Sequence, residues 1–225
     1  MNKTWIAGAA ALIVIAGGVA FWQRKDDNAK PKTNSNTSSS QPLANMPAMQ
    51  KQFESYKGAQ YDKIFLASMI SHHQGAIQMA QMALNNARHQ EIKDLATNII
   101  SAQNSEISQM QSLRTASGYT NNDSATQDVV KQMQAEMDRM MGQLNGKTGD
   151  DFDKAFLAQM MMHHQSAIDM SKPAAANASQ EEVKTLASNI ITAQTKEVSE
   201  MMAWQTQWGY KTQSSSSDSM SNMSM

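Results

Sequence analysis

The feature that most constrains this chain is an internal repeat centred on two adjacent histidines. Residues 58–119 align without a gap with residues 149–210, and close to half of the paired positions are identical. The doublet His72–His73 lies in the first copy and the doublet His163–His164 in the second, so the doublets hold four of the five histidines. A repeat this clear favours one folded domain built from two similar halves.

The composition excludes several classes of protein. Cysteine is absent, which rules out disulfides, thiolate nucleophiles and thiolate metal ligands. The formal net charge is only −1 and no basic stripe is present, so a nucleic-acid partner is not expected. Methionine occurs 20 times, and its thioether is a soft, uncharged donor that suits Cu(I). Any soft metal would therefore be held by thioethers and imidazoles.

The hydrophobic pattern predicts an all-α fold. Apolar side chains recur at spacings of three and four along residues 61–86 and again along residues 92–113. The second half repeats this pattern along residues 156–170 and 183–204. The spacings predict four long helices, paired as two antiparallel helical hairpins.

Shorter elements are expected around these helices. A lead-in helix is predicted from Met46, and an amphipathic helix along residues 129–144 holds the equivalent place before the second half. Pro173 should end or kink the first helix of the second half early, because proline removes a helical hydrogen bond. Ser179 and Glu182 have the spacing of a capping box for the last helix.

In an antiparallel hairpin turning near residue 88, the first histidine doublet is level with Gln103 and Glu106, and Met69 is level with Met110. A buried carboxylate is costly unless it is paired, so a histidine is the expected partner of Glu106. The equivalent residues of the second half are Gln194, Glu197, Met160 and Met201.

The doublets are the strongest candidates for metal ligands. A bundle core gains little from two adjacent histidines, and a methionine stands three and four residues before each doublet, the spacing that brings helical side chains together. The methionines of residues 133–141 are instead interpreted as core packing. The candidate ligands are Met69, His72, His73, Met79 and Met110, with Met160, His163, His164, Met170 and Met201 in the second half. Glu106, Glu197, Gln103 and Gln194 are expected beside them, where the glutamates fix the histidine rings.

The chain ends lack a core-forming pattern. Residues 1–25 contain an uncharged apolar run from Trp5 to Trp22, predicted to be a transmembrane anchor or signal segment. Basic residues follow this run, so charge alone does not favour export of the rest of the chain. Residues 26–45 are a predicted flexible linker. The remaining predicted units are the bundle domain 46–211, with halves 46–119 and 126–210, and a disordered tail 212–225 that holds Met220, Met223 and Met225.

Two motifs carry a family resemblance. His-His-Gln-x-Ala-Ile-x-Met is followed in each half by Asn-Ile-Ile-x-Ala-Gln-x-x-Glu, then isoleucine or valine, and a methionine three residues later. Over most of residues 61–210 the chain resembles the ferritin-like bacterial family DUF305. The resemblance implies a four-helix core and, for one branch of the family, copper binding through methionine and histidine in the cell envelope. It points to Met69, His72, His73 and Met79, and to Met160, His163, His164 and Met170.

The expected function is therefore binding of copper as Cu(I), or of Ag(I), without catalysis. The tail methionines would capture the ion or pass it on, and another copper-handling envelope protein is a possible partner besides the membrane. One alternative is a ferritin-like di-iron or di-manganese oxidase, which needs Glu-x-x-His motifs. However, Gln109 and Glu200 stand three residues after Glu106 and Glu197. The other alternative is a structural or partner-binding bundle without metal.

Overall fold

The computed structural model describes residues 46–210, where the chain is all-helical. The predicted anchor, linker and tail lie outside these residues. No helix within residues 46–210 is long and apolar enough to cross a membrane. The helices are α1 (Met46–Ser55), α2 (Gly58–Asn86), α3 (Gln90–Ala116), α4 (Ser124–Leu144), α5 (Gly149–Ser171), α6 (Ala174–Asn177) and α7 (Glu181–Gln207).

The two halves form the two predicted hairpins. α2 packs against α3 in the first half, and α5 packs against α7 in the second. The hairpins meet through their first helices, because α2 also contacts α5. α5 ends at Ser171, just before Pro173, whereas α2 continues to Asn86, so the predicted early end of α5 is confirmed.

The lead-in helices pack across the halves. α1, at the start of the first half, contacts α5 of the second half, and α4, at the start of the second half, lies along α2 of the first. Gly75 permits the close approach of α4, because a Cβ atom there would lie 2.5 Å from Cγ and Sδ of Met137. Met133, Met137 and Met140 are buried in the hydrophobic core, which fits their interpretation as packing residues.

Each half also supplies a buried aspartate to the other half. Asp62 of α2 accepts hydrogen bonds from the backbone N–H groups of Ser179 and Gln180, both at 3.1 Å, just before α7 begins. Asp153 of α5 accepts from the backbone N–H of residue 88 at 2.9 Å and that of His89 at 3.1 Å, just before α3 begins. The exchange satisfies N–H groups that would otherwise lack partners at two helix starts.

The start of α7 corrects one sequence prediction. The N-cap of α7 is Gln180, whose side chain makes no capping hydrogen bond. Ser179 does not form the predicted capping box with Glu182, because its hydroxyl donates to Asp62 instead. A carboxylate from the opposite half thus replaces the local cap. The spacing of residues around Ser179 could not predict this contact, because Asp62 is distant in sequence.

Each hairpin is followed by a glycine in the left-handed backbone conformation. Gly118 follows α3 with φ of 65°, and Gly209 follows α7 with φ of 67°. The next N–H groups, of Tyr119 and Tyr210, each donate 2.9 Å back to a carbonyl of the last helical turn. The turns direct both tyrosines toward the helix starts capped by the aspartates, since Tyr119 accepts from Gln180 at 3.0 Å and Tyr210 lies 3.4 Å from His89.

The substitution Asp62→Ala should lower the free energy of unfolding by about 1–3 kcal/mol, because it leaves two N–H groups at the start of α7 without an acceptor. Asp151→Ala is the matched control, since the Asp151 side chain is 84% exposed and should change stability by less than about 0.5 kcal/mol. Urea denaturation followed by circular dichroism measures both. Equal stabilities would show that the exchanged caps contribute nothing.

Candidate metal-binding site

The two histidine doublets meet where α2 and α5 pack together. His72 of α2 and His163 of α5 are both fully buried, and their ring centroids lie 3.6 Å apart at an interplanar angle of 35°. The Nε2 of His163 lies 3.0 Å from the backbone carbonyl oxygen of His72. The centre of the candidate site is therefore shared between the two halves.

The second histidine of each doublet, His73 or His164, pairs with a glutamate of its own hairpin. The Nε2 of His73 lies 2.6 Å from Oε2 of Glu106, and the Nε2 of His164 lies 2.6 Å from Oε2 of Glu197. Both rings are fully buried, whereas the glutamate side chains are 22% and 21% exposed. The predicted pairing of each glutamate with a histidine is confirmed, but the glutamates are half-buried where the sequence predicted buried carboxylates.

Helix geometry explains why the doublets divide. Adjacent residues on an α-helix point about 100° apart, so only one of two neighbouring histidines can face the partner helix of its own hairpin. The ring centroids lie 6.3 Å apart between His72 and His73, and 5.9 Å apart between His163 and His164. The sequence analysis assigned both histidines of each doublet to one site within their own half. In the structure, one ring of each doublet faces the opposite half instead.

The hydrogen bonds fix where the lone pairs lie. A backbone carbonyl or a carboxylate accepts a hydrogen bond, so His73, His163 and His164 donate through Nε2–H. In the neutral form of such a ring the lone pair lies on Nδ1. All three of these Nδ1 atoms are buried without a hydrogen-bond partner, and His72 has no partner at either nitrogen. These are the atoms through which neutral imidazoles bind metals.

Burial keeps the central pair uncharged. Burial first, and the neighbouring histidines second, hold the pKa of His72 well below the ordinary histidine value. Burial and proximity to His164 lower the pKa of His163 in the same direction. Both rings are therefore neutral at pH 7 and can donate lone pairs without first releasing a proton.

The other predicted site residues within the described part of the chain are buried in the same four long helices. Gln103 and Gln194 are buried, and their side-chain oxygens have no hydrogen-bond partner. The predicted tail ligands Met220, Met223 and Met225 lie outside the described residues. The remaining predicted thioether ligands are all fully buried or nearly so: Met69, Met79, Met110, Met160, Met170 and Met201.

Sequence reasoning missed a second cluster of donor side chains. His89, Asp150 and Asp153 each place a ligand atom within 4.8 Å of the other two. The available signal was a difference between the repeats, because Gln180 and Ala59 stand at the positions equivalent to His89 and Asp150. These residues are far apart in sequence, and the packing of α5 against the start of α3 brings them together.

Fold and site together define a duplicated helical bundle with a buried pair of histidines where its halves meet. The model of the family described as Domain of unknown function (DUF305) matches residues 17–114, 114–205 and 153–225. The chain therefore belongs to the DUF305 family.

Similar proteins have been solved or catalogued. CopM in the Cu(I)-bound form is 32% identical, with a TM-score of 0.54 over 67% of this chain and 98% of CopM. A DUF305 protein of Streptomyces coelicolor has a TM-score of 0.60 at 22% identity over 68% of this chain and 97% of its own, which supports the fold alone. An uncharacterized protein of Acanthamoeba polyphaga mimivirus is 44% identical over 52 residues, which span 23% of this chain and 34% of that protein.

The metal-free protein should lose stability as the pH falls from 7 to 5. His72 and His163 stay neutral in the fold but take up protons below about pH 6.5 when unfolded, so the unfolded chain binds more protons there. Each histidine contributes up to about 1.4 kcal/mol per pH unit to this loss. Urea denaturation across this pH range should show that the free energy of unfolding decreases more steeply as the pH falls in the parent protein than in the His72→Gln/His163→Gln variant. Parallel slopes would mean that both rings become protonated within the fold.

Proposed function

We propose that this protein binds Cu(I), and Ag(I) by the same chemistry, and holds the ion without catalytic turnover. Its role is sequestration, homeostasis or resistance in the bacterial cell envelope, on the periplasmic or extracytoplasmic side. The observation that carries the proposal is a set of four fully buried imidazoles whose Nδ1 atoms have no hydrogen-bond partner. Unpaired buried polar atoms cost about 1–3 kcal/mol each, and a bound ion would give them a partner.

The donor types favour a soft monovalent ion. Thioethers and neutral imidazoles add no negative charge to balance a divalent ion, and methionine suits Cu(I) over hard cations. The chain contains no cysteine, so no thiolate competes for the ion. CopM, which is 32% identical, has been solved in Cu(I)-bound and Cu(II)-bound forms, and a 31% identical CopM structure contains Ag.

The residues around the histidines would have distinct roles. Glu106 and Glu197 accept the Nε2–H of their histidines, which fixes the rings and raises the basicity of Nδ1. Met69 and Met160 stand one helical turn before the doublets and would complete the ligand set. Met79 and Met170 lie further along the helices and would serve an auxiliary or entry site. The tail methionines Met220, Met223 and Met225 would capture the ion or pass it to another copper-handling envelope protein.

The proposal includes attachment to the membrane. The apolar run from Trp5 to Trp22 is about as long as a helix that crosses a bilayer, and the segment 26–45 would act as a tether. Attachment by this segment would keep the bundle at the membrane surface.

The rival functions make different demands on the core. A di-iron or di-manganese oxidase needs several inward carboxylates, but Glu200 pairs with Lys196 at 3.7 Å, with a side chain that is 42% exposed. A bundle with a purely structural role has no use for unpartnered nitrogens on fully buried histidines. Neither rival explains why two neutral histidines, His72 and His163, lie together where the halves meet.

The variant His72→Ala/His73→Ala should weaken Cu(I) binding by more than about 100-fold, which exceeds the usual effect of losing one orienting partner. Titration with Cu(I), Cu(II), Ag(I) and Zn(II) against a competing chelator measures the affinities of untagged protein. Met133→Leu/Met137→Leu is the matched control, because it removes two thioethers from α4 and nearly keeps their volume. An equal or larger loss in the control would move the site to α4, and failure of the parent protein to bind Cu(I) would reject the function.

A second pair of variants tests which methionine completes the site. Met69 is about 5–6 Å from its doublet along the helix surface, whereas Met79 lies seven residues beyond His72, roughly 10 Å along the axis. Met69→Leu should therefore lower Cu(I) affinity more than Met79→Leu does, with little change in the thermal midpoint of either. A larger loss for Met79→Leu, or a metal-bound structure with Met79 and His72 on one ion, would reverse the assignment.

A further inference from the structure

A second cluster of donor atoms lies where α3 and α5 begin and α7 ends. The Nδ1 of His89 is 2.6 Å from Oδ2 of Asp153, and the hydroxyl of Tyr210 donates to Oδ1 of Asp150 at 2.8 Å. One ligand atom from each of His89, Asp150 and Asp153 lies within 4.8 Å of the others. Donors around one ion at about 2.0–2.2 Å lie roughly 3–4.4 Å apart, so only a small adjustment would bring these atoms onto one ion.

The internal repeat shows that capping α3 does not require this cluster. At the equivalent end of the bundle, Asp62 caps α7 and Tyr119 follows the last helix of its half, as Asp153 and Tyr210 do here. The positions equivalent to His89 and Asp150 hold Gln180 and Ala59, which cannot supply an imidazole or a carboxylate. The cap forms without them, so a histidine and a second carboxylate are additions to the structural arrangement.

We propose that His89, Asp150 and Asp153 form a binding site for a divalent cation of borderline hardness, Zn²⁺ or Cu²⁺. One imidazole and two carboxylates are the donors that such ions prefer, and they carry the negative charge that a divalent ion requires. The phenol of Tyr210 lies beside Asp150 and orients its carboxylate. This site differs in position and donor type from the buried histidine and methionine centre.

The donors are already held in place. The ring of Trp208 stacks on the ring of His89, with centroids 3.8 Å apart at an angle of 12°. Asp153 is fully buried and anchored by two backbone N–H groups. The hydrogen bond from Tyr210, with the ion pair to Arg88, keeps the pKa of Asp150 below its ordinary value, so this carboxylate is charged at neutral pH. Ligands fixed in this way need little reorganisation to accept an ion.

Arg88 is the group that a cation would have to displace. Its Nη1 lies 2.5 Å from Oδ2 of Asp150, but the arginine side chain is 64% exposed. An exposed ion pair of this kind contributes little to stability, so the guanidinium can swing into solvent at small cost. The Nζ of Lys154 lies over the ring of Tyr210, 5.2 Å from its centroid, and its charge also acts on Asp150.

The test compares Zn²⁺ binding to the parent protein and to His89→Gln/Asp150→Ala, which installs the residues of the equivalent end and leaves the Asp153 cap intact. Isothermal titration with Zn²⁺ should show the loss of one equivalent in this variant. Arg88→Ala should strengthen the same equivalent by roughly 2- to 5-fold, as expected for removal of an exposed competing ion pair. Circular dichroism should show the same helix content in all three proteins.

Two results would overturn the proposal. The first is an unchanged number of Zn²⁺ equivalents in His89→Gln/Asp150→Ala, which would assign the bound zinc to other donors such as the histidine doublets. The second is unchanged or weaker binding in Arg88→Ala, which would make the cluster an ion-pair network. Cu(I) binding to the same variants is measured in parallel and should stay unchanged. Failure at this site is thus distinguishable from failure at the buried centre.

Discussion

The contact between the rings of His72 and His163 is the constraint on which the candidate centre depends. Each ring is fully buried and neutral, and each comes from a different half of the repeat. Neither half contains this pair by itself, because the rings meet only where α2 packs against α5. Docking of the halves therefore creates the buried centre, and any change that moves α2 along α5 alters the site and the core together.

Sequence reasoning reached the parts of the fold that local spacing controls. The two hairpins, the early end of α5 at Pro173 and the pairs His73–Glu106 and His164–Glu197 follow from helical periodicity and from the position of one turn. Sequence reasoning did not predict the contact between His72 and His163. A repeat shows which residues are equivalent, but not which faces of the two copies meet.

The other features that sequence reasoning missed also depend on how the two halves pack together. Ser179 fits a local capping box, yet Asp62 from the other half takes its hydroxyl. His89 stands in a short break between helices and gains its meaning only when α5 brings Asp150 and Asp153 beside it. The sequence shows that His89 and Asp150 differ from their equivalents in the other copy. Only the fold shows that these two residues lie side by side.

The exchange of aspartate caps gives the two halves the relation of subunits in a symmetric dimer. A single half would carry an aspartate with no helix start to cap, and a helix start with no aspartate. Two separate copies would satisfy each other in a symmetric pair, because every exchanged bond has its reciprocal. The halves of this chain therefore hold each other as the subunits of a symmetric dimer do, although one covalent chain joins them. The two ends are not identical, because one has His89 and Asp150 where the other has Gln180 and Ala59.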